Sequence, residues 1–364
     1  MMEETKWFEE YLAEQRDIIW QVIAQCLQEY KAADADILRW MGQENYLSLL
    51  DEHWNVVEDY PRRRGKYLRP TLVMLGYKSL QKDGAAAPEG TETVTAAAMQ
   101  VSEDWILIHD DLCDGSLERR GRAALHREVG MEIAVNAGDT LHEAMHRMLS
   151  RNYELLPLDM AQRVQNEFFR MLSRTTFGQY AEILWTQQDR LDMTEQDVLF
   201  TISGKTAYYT IAGPLRLGAI LAGATDEQLE RLYRFSYPLG VCFQIRDDIL
   251  DLTSDFEGQK KQTCNDLYEG KRTLMLLHLL RHAAPDELES VKAILKKTRE
   301  EKTADEVAYL RRLMDKYGSI DYASDLARQY AEEALQQLEN LDFIGKETRP
   351  LFRQMVHFVL KRGS

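Results

Sequence analysis

Two short runs of carboxylates limit what this chain can fold into. LIHDDLCDGSLERRG, Leu107 to Gly121, carries Asp110, Asp111 and Asp114 in a D-D-x-x-D pattern and ends on Arg119, Arg120 and Gly121. FQIRDDILD repeats the pattern at Asp247, Asp248 and Asp251, with Lys260, Lys261, Lys271 and Arg272 downstream. At 3.6 residues per turn the first and last aspartates of each run share one helix face, with the middle one beside them. Two unit charges 4 Å apart repel by about 4 kcal/mol at an effective dielectric near 20. One such triplet alone could be a solvated helix face or an N-cap cluster. Two of them, each beside apolar helix and each trailed by cations, point to two helices facing each other across one cavity, with cations between the carboxylates. Hard oxygen donors favour Mg²⁺ (or Mn²⁺) over Zn²⁺, and protein-bound Mg²⁺ usually shares substrate phosphates. A phosphorylated ligand is therefore implied.

The remainder reads as helix. Phe8, Tyr11, Leu12, Ile19, Val22, Ile23, Cys26, Leu27 and Tyr30 form one apolar stripe. Ala137, Leu141, Ala144, Met145, Met148 and Leu149 form another, and Phe352, Val356, Val359 and Leu360 a third. No period-two alternation of β-branched residues accompanies them, so the expected fold class is all-α. Lys82 to Thr91 is a surface loop by composition, and Pro157, the Gly213-Pro214 step, Pro238, Pro285 and Pro350 mark helix ends or kinks. None of these resembles an interdomain linker, so residues 1–364 are expected to form a single domain.

A net charge of −15 excludes non-specific nucleic-acid binding. No run approaches the roughly 18–20 apolar residues that span a bilayer, so no membrane span is expected. Cys26, Cys113, Cys242 and Cys264 lack metal-ligand or disulfide spacing and read as free thiols of a cytoplasmic protein. The acidic, amphipathic N-terminal stretch does not read as a signal peptide.

Within this acidic chain, cations cluster near glycines. PRRRGKYLRP holds Arg62, Arg63, Arg64, Lys66 and Arg69, and SGKTAYY holds Lys205 and Thr206. Guanidinium forks and ammonium groups are what diphosphate oxygens require. SGKT lacks the upstream glycine and the preceding strand of a nucleotide P-loop, and that reading is rejected. Arg62 and Arg63 fit a solvated face. Lys66, Arg69, Arg120 and Lys205 are candidates for a site.

Taken in order, GKYLRP, HDDLCDGSLERRG, AVNAGDTL, TTFGQYAE, SGKTA and FQIRDDILD with NDLYEGKRTL resemble the motifs of the trans-isoprenyl diphosphate synthases, the polyprenyl synthetase family. The resemblance implies an isoprenoid synthase fold, helices bundled around a deep central cavity, usually as a homodimer. It implies condensation of isopentenyl diphosphate with an allylic diphosphate through ionisation, condensation and elimination. It places an allylic diphosphate near Asp110, Asp111, Asp114, Arg119, Lys205, Gln244, Asp247, Asp248, Asp251, Lys261 and Lys271, with about three Mg²⁺ ions on the six aspartates. Isopentenyl diphosphate falls to Lys66, Arg69 and Arg120. Lys205 and Thr206 are implied to stabilise the departing diphosphate and the allylic cation. No protein nucleophile is needed, which agrees with the lack of any Ser/His/Asp or Cys/His constellation. His109 reads as structural.

One departure bears on the acceptor. Where the family commonly has His or Gln, seven residues before the first aspartate, this chain has Glu103, whose charge would repel a diphosphate unless Lys66 or an arginine neutralises it. Product length is expected to be short, with geranylgeranyl slightly favoured over farnesyl diphosphate and Trp105 and Ile106 as the pocket floor. Each further isoprene unit buries five carbons, about 4 kcal/mol, which a blocked floor forfeits. The rivals are a class I terpene cyclase and a non-catalytic subunit of a heteromeric synthase. The intact GKYLR segment argues against the first, and the two intact aspartate motifs argue against both.

Overall fold

The computed structural model describes residues 5–80, 87–88, 90–253 and 264–361. Most of it is helical. The helices used below are α1 (Leu68–Ser79), α2 (Thr91–Cys113), α3 (Met131–Ser150), α4 (Leu158–Gln187), α5 (Gly213–Leu221), α6 (Asp226–Thr253), α7 (Asn265–Glu269), α8 (Ser319–Glu339) and α9 (Arg349–Lys361). The prolines fall largely where helices begin, as their missing N–H allows. Pro285 opens the helix Pro285–Leu295, and Pro214 and Pro350 are the second residues of α5 and α9. Pro238 is the exception, since α6 runs on through it to Thr253. Among the described residues the strands are Glu118–Arg119 and Arg122–Ala123, an antiparallel pair that interrupts the all-α pattern. No described helix is long and apolar enough to cross a membrane.

The backbone contacts group into two compact units. The first comprises Glu9–Asn166 with Pro214–Thr225. At its centre, α2 packs against α1 and α3, burying Ala96, Ala97, Ala98, Met99 and Val101 completely. In α1, a Cβ on Gly76 would lie 2.3 Å from the Leu215 carbonyl oxygen of α5, and one on Gly218 would lie 2.0 Å from the Val73 oxygen. These two glycines set the close crossing of α1 and α5.

The second unit comprises Met1–Phe8, Glu167–Gly213 and Asp226–Ser364. Here α6 is the central element, packed on α8, α9 and residues 202–212. Ala323, Ala327, Ala331 and Ala334 are buried at helical spacing along α8, where small side chains allow close approach. Phe235 of α6 meets Phe352 of α9 at 5.5 Å between ring centroids. Residues Ile202–Ala212 form a π-helix, a geometry that is rare outside single turns and that concentrates at functional sites. It carries the whole SGKTAYY segment.

Candidate active site

In the first unit, α2 delivers the first aspartate run at its C-terminal end. Three carboxylates there oppose the negative pole of the helix dipole, and no basic residue lies in the last turn. Asp110 and Asp114 are half-buried. Asp111 is fully buried and differently employed. It accepts a 2.6 Å hydrogen bond from Tyr60 Oη and bonds from Arg119 Nε at 3.0 and 2.9 Å, with a further close contact from Arg119 Nη2. Burial alone would lower the Arg119 pKa, but the Asp111 carboxylate outweighs it and holds the guanidinium above its ordinary value. Asp111 thus has the geometry of an arginine anchor, while Asp110 and Asp114 keep some solvent access.

Arg119, Arg120, Gly121 and Arg122 form the tip of the small hairpin, with Arg119 paired to Arg122. Arg120 (φ 53°) and Gly121 (φ 76°) both occupy the left-handed region that two-residue hairpin loops of the primed type require. For arginine this conformation costs about 1–2 kcal/mol, and three contacts hold it there. Arg120 Nη1 donates to the Tyr60 carbonyl and to Asp104, each at 2.8 Å, while Nη2 lies 3.9 Å from Glu103. A Cβ on Gly65 would stand 2.8 Å from Arg120 Nη2, so the glycine of GKYLRP leaves room for this guanidinium. Arg69 completes the cluster with a 3.0 Å ion pair to Glu103. The charge of Glu103 is therefore balanced by arginines, one of the two compensations the sequence called for. Lys66 is exposed nearby in sequence. Asp104, fully buried beneath Arg120, has its carboxyl pushed up to about 6 by burial, against the pull of Arg120. Trp105 lies on the rings of His109 and His142, at 5.7 and 4.7 Å. His109 packs so closely on α3 that a Cβ at Gly138 would lie 2.4 Å from its Nε2.

In the second unit, a narrow cleft of about 30 Å³ is lined by Glu182, Lys205, Thr206, Gln244, Asp248 and Lys271, among others. Lys205 Nζ donates to Glu182 at 2.6 Å. Gln244 Nε2 donates to Asp248 at 2.6 Å, and Lys271 Nζ lies 3.2 Å from the same carboxylate and 3.5 Å from Asp266. Burial raises the Asp248 carboxyl far above the carboxylate range, with Lys271 opposing and Asp266 adding to the rise. For Glu182, Lys205 and Lys271 overcome burial and the carboxyl is held low. Asp247 is exposed. Asp251 accepts backbone hydrogen bonds from Asn265 and Asp266 at 3.1 and 2.9 Å, capping α7. Two glycines fix the frame. A Cβ on Gly178 of α4 would lie 2.6 Å from the Lys205 amide nitrogen, and one on Gly240 of α6 would lie 2.6 Å from Ala207. Lys260 and Lys261 lie outside the described residues.

The donor set suits a hard divalent cation, because crowded carboxylates with raised pKa values are what such a cation relieves. Among the described residues, however, no three His, Cys, Asp or Glu side chains converge on a single point. Sequence reasoning assigned no role to Tyr60, Asp104 or Glu182. Glu182 closes the TTFGQYAE motif and could have been found there. Asp104 and Tyr60 carry no comparable signal.

The polyprenyl synthetase family model matches residues 52–314. The chain belongs to the polyprenyl synthetase family. It is, with that family, a prenyltransferase. A geranylgeranyl diphosphate synthase from Sulfolobus acidocaldarius is 30% identical over 300 residues, covering 82% of this chain and 87% of its own length. A geranylfarnesyl diphosphate synthase from Natronomonas pharaonis is also 30% identical, over 82% of this chain and 86% of its own. Among solved structures, geranylgeranyl pyrophosphate synthase from Corynebacterium glutamicum, complexed with isoprenyl diphosphate and magnesium, superposes with a TM-score of 0.87. It covers 96% of this chain and 99% of its own at 23% identity. For this polyprenyl synthetase, the motif glycines Gly65, Gly138 and Gly178 each sit where a neighbouring side chain or backbone leaves no space for a Cβ.

Proposed function

We propose that this chain condenses isopentenyl diphosphate with dimethylallyl, geranyl or farnesyl diphosphate to give a short all-trans prenyl diphosphate, geranylgeranyl slightly favoured over farnesyl. The observation that carries the reading is the half-buried Lys205–Glu182 and Lys271–Asp248 pairing around one cleft, in a chain of this family. Ammonium groups held in place beside carboxylates are arranged to receive a leaving diphosphate, since preorganised charge acts where charge develops. Lys205, Lys271 and, from outside the described residues, Lys261 would take the allylic diphosphate oxygens. Gln244 orients Asp248, and Thr206 lines the same cleft as Lys205. Asp110, Asp114, Asp247, Asp248 and Asp251 would hold Mg²⁺, with Mn²⁺ as a substitute. Bound there, the metal supplies neutralisation of the leaving group.

Asp111 holds Arg119, and Arg119 would contribute its guanidinium to the allylic diphosphate. Lys66, Arg69 and Arg120 would bind isopentenyl diphosphate, whose double bond attacks the allylic cation. The proton lost afterwards goes to the released diphosphate, so no protein base is required. Trp105, with Ile106, is proposed to limit product length. Of the two relatives, one is named for the C20 product favoured here and the other for a C25 product, one isoprene unit longer. We place the chain in the cytoplasm as a homodimer.

The test is product analysis with Mg²⁺, labelled isopentenyl diphosphate and each allylic primer in turn. Linear prenyl alcohols after dephosphorylation support the proposal and report chain length. Cyclic hydrocarbons formed without isopentenyl diphosphate would move the chain to the cyclases, and inactivity with every primer would favour a subunit that needs a partner. Asp110→Ala or Asp247→Ala should lower turnover by orders of magnitude while the helical signal is kept.

A further inference from the structure

We propose that His142 and His146 of α3 form a binding site for one borderline divalent cation of the Zn²⁺, Ni²⁺ or Cu²⁺ class, apart from the aspartates. The two residues stand one helical turn apart, and their Nε2 atoms approach to 3.2 Å with the rings inclined at 70°. At metal–nitrogen distances of 2.0–2.1 Å, two imidazoles on a tetrahedral ion have their nitrogens about 3.3 Å apart. The separation is thus already that of two adjacent ligands. Both side chains are half-buried. Burial, with His146 beside it, keeps the His142 imidazole below its ordinary pKa and so neutral, with a lone pair to offer.

A second histidine pair with the same spacing provides the contrast. His278 and His282 stack face to face at 4.0 Å and 23°. Spacing alone therefore does not make a chelating pair, whereas the converging Nε2 atoms of His142 and His146 do. Because no third His, Cys, Asp or Glu joins them among the described residues, water completes the coordination. Neutral nitrogen donors select against Mg²⁺. In the metal-free pair one Nε2–H donates to the other Nε2. On binding, that ring moves its proton to Nδ1, so both Nε2 lone pairs face the ion and no proton is released. The His142 ring also meets Trp105, which in turn meets His109. The ion would therefore pin a chain of ring contacts that ends at His109, one residue before Asp110.

The test is Ni²⁺ binding to the full chain by calorimetry, with Mg²⁺ in large excess to occupy the carboxylates. One ion per chain is expected. His142→Gln and His146→Gln should each weaken it on the order of 100-fold, the gain that a second tethered ligand confers. His278→Gln and His282→Gln should leave it unchanged. Absence of saturable binding overturns the proposal, as does binding that survives His142→Gln or that is lost equally in His278→Gln. On the unmodified chain, the Cu²⁺ electron paramagnetic resonance spectrum should show two nitrogen ligands, and an all-oxygen spectrum overturns the site whether or not the variants fold. Neither readout depends on the proposed reaction.

Discussion

Replacing Glu103 by glutamine removes one negative charge from the arginine cluster at nearly constant volume. The Glu103 carboxylate lies 3.0 Å from Arg69 and 3.9 Å from Arg120. At an effective dielectric near 20 the two contacts correspond to about 5.5 and 4.3 kcal/mol of gross Coulomb attraction, much of it offset by desolvation. A diphosphate resting on the far side of those guanidinium groups would stand roughly 7 Å from the carboxylate and be repelled by about 2.4 kcal/mol per charge on the same scale. Screening in a cluster whose side chains are 12–20% exposed reduces that to on the order of 1.4 kcal/mol, a factor of about ten in binding. The arginines lose a partner in the glutamine variant, but the incoming diphosphate supplies a new one, so the net effect on the acceptor is favourable.

We therefore expect Glu103→Gln to lower the KM for isopentenyl diphosphate about tenfold, with kcat and the KM for the allylic substrate within about twofold. The free protein should lose about 1–2 kcal/mol of stability in urea, because the two guanidinium groups are then less well satisfied. The assay is steady-state turnover with labelled isopentenyl diphosphate varied at saturating allylic diphosphate. A KM that rises would show that Glu103 chiefly holds the arginines in place. An unchanged KM would show that the acceptor diphosphate does not engage Arg69 and Arg120, and either result refutes the electrostatic reasoning.

Other outcomes follow from the same geometry. Asp104 keeps its proton up to about pH 6 when folded but loses it near 3.9 when unfolded. The folded state then binds more protons between those values, so this group's stabilisation is complete below about pH 4 and lost as pH rises through 6, on the order of 3 kcal/mol. Asp104→Asn should flatten that limb of a stability–pH profile, and an unaltered profile would remove the burial argument. Gly138→Ala puts a methyl 2.4 Å from His109 Nε2 and should cost about 1–3 kcal/mol by urea denaturation. Normal stability there would mean that His109 has room to move. Trp105→Ala should lengthen the prenyl alcohols recovered by at least one isoprene unit, and an unchanged product would discard its role as the floor while leaving the reaction intact.

What could be read directly from the sequence was what a single segment encodes. Apolar periodicity located the helices, because side chains at i, i+3 and i+4 must be buried together for the helix to be stable. The aspartate runs raised the expectation of hard-oxygen ligation, because repeated carboxylates at that spacing call for counter-charge. Two local geometries escaped notice for physical reasons. The π-helix over Ile202–Ala212 differs from an α-helix in hydrogen-bond register, which leaves little mark on the residue pattern. The hairpin turns on Arg120 at φ 53°, a conformation that arginine does not advertise and that Gly121 alone hinted at.

Pairings across the chain were less accessible still. Asp111 looked like the equal of Asp110 and Asp114, yet it is the only one of the three that is fully buried, and Tyr60 and Arg119 bind its carboxylate. Glu103 looked like a fault in an acceptor site, because its compensation lies in Arg69 and Arg120, on other elements. The two cases share one cause. A charged residue's role is fixed by its partners and its solvent exposure, and neither is written at its own position. Glu103 makes the point most sharply. Its anomaly and its remedy belong to different motifs, GKYLRP and the R-R-G tail, and a change to any one of the three side chains alters what the other two can bind. A double-mutant cycle between Glu103→Gln and Arg69→Gln should therefore show coupling in the KM for isopentenyl diphosphate, whereas additive effects would mean that the two side chains act on the acceptor separately.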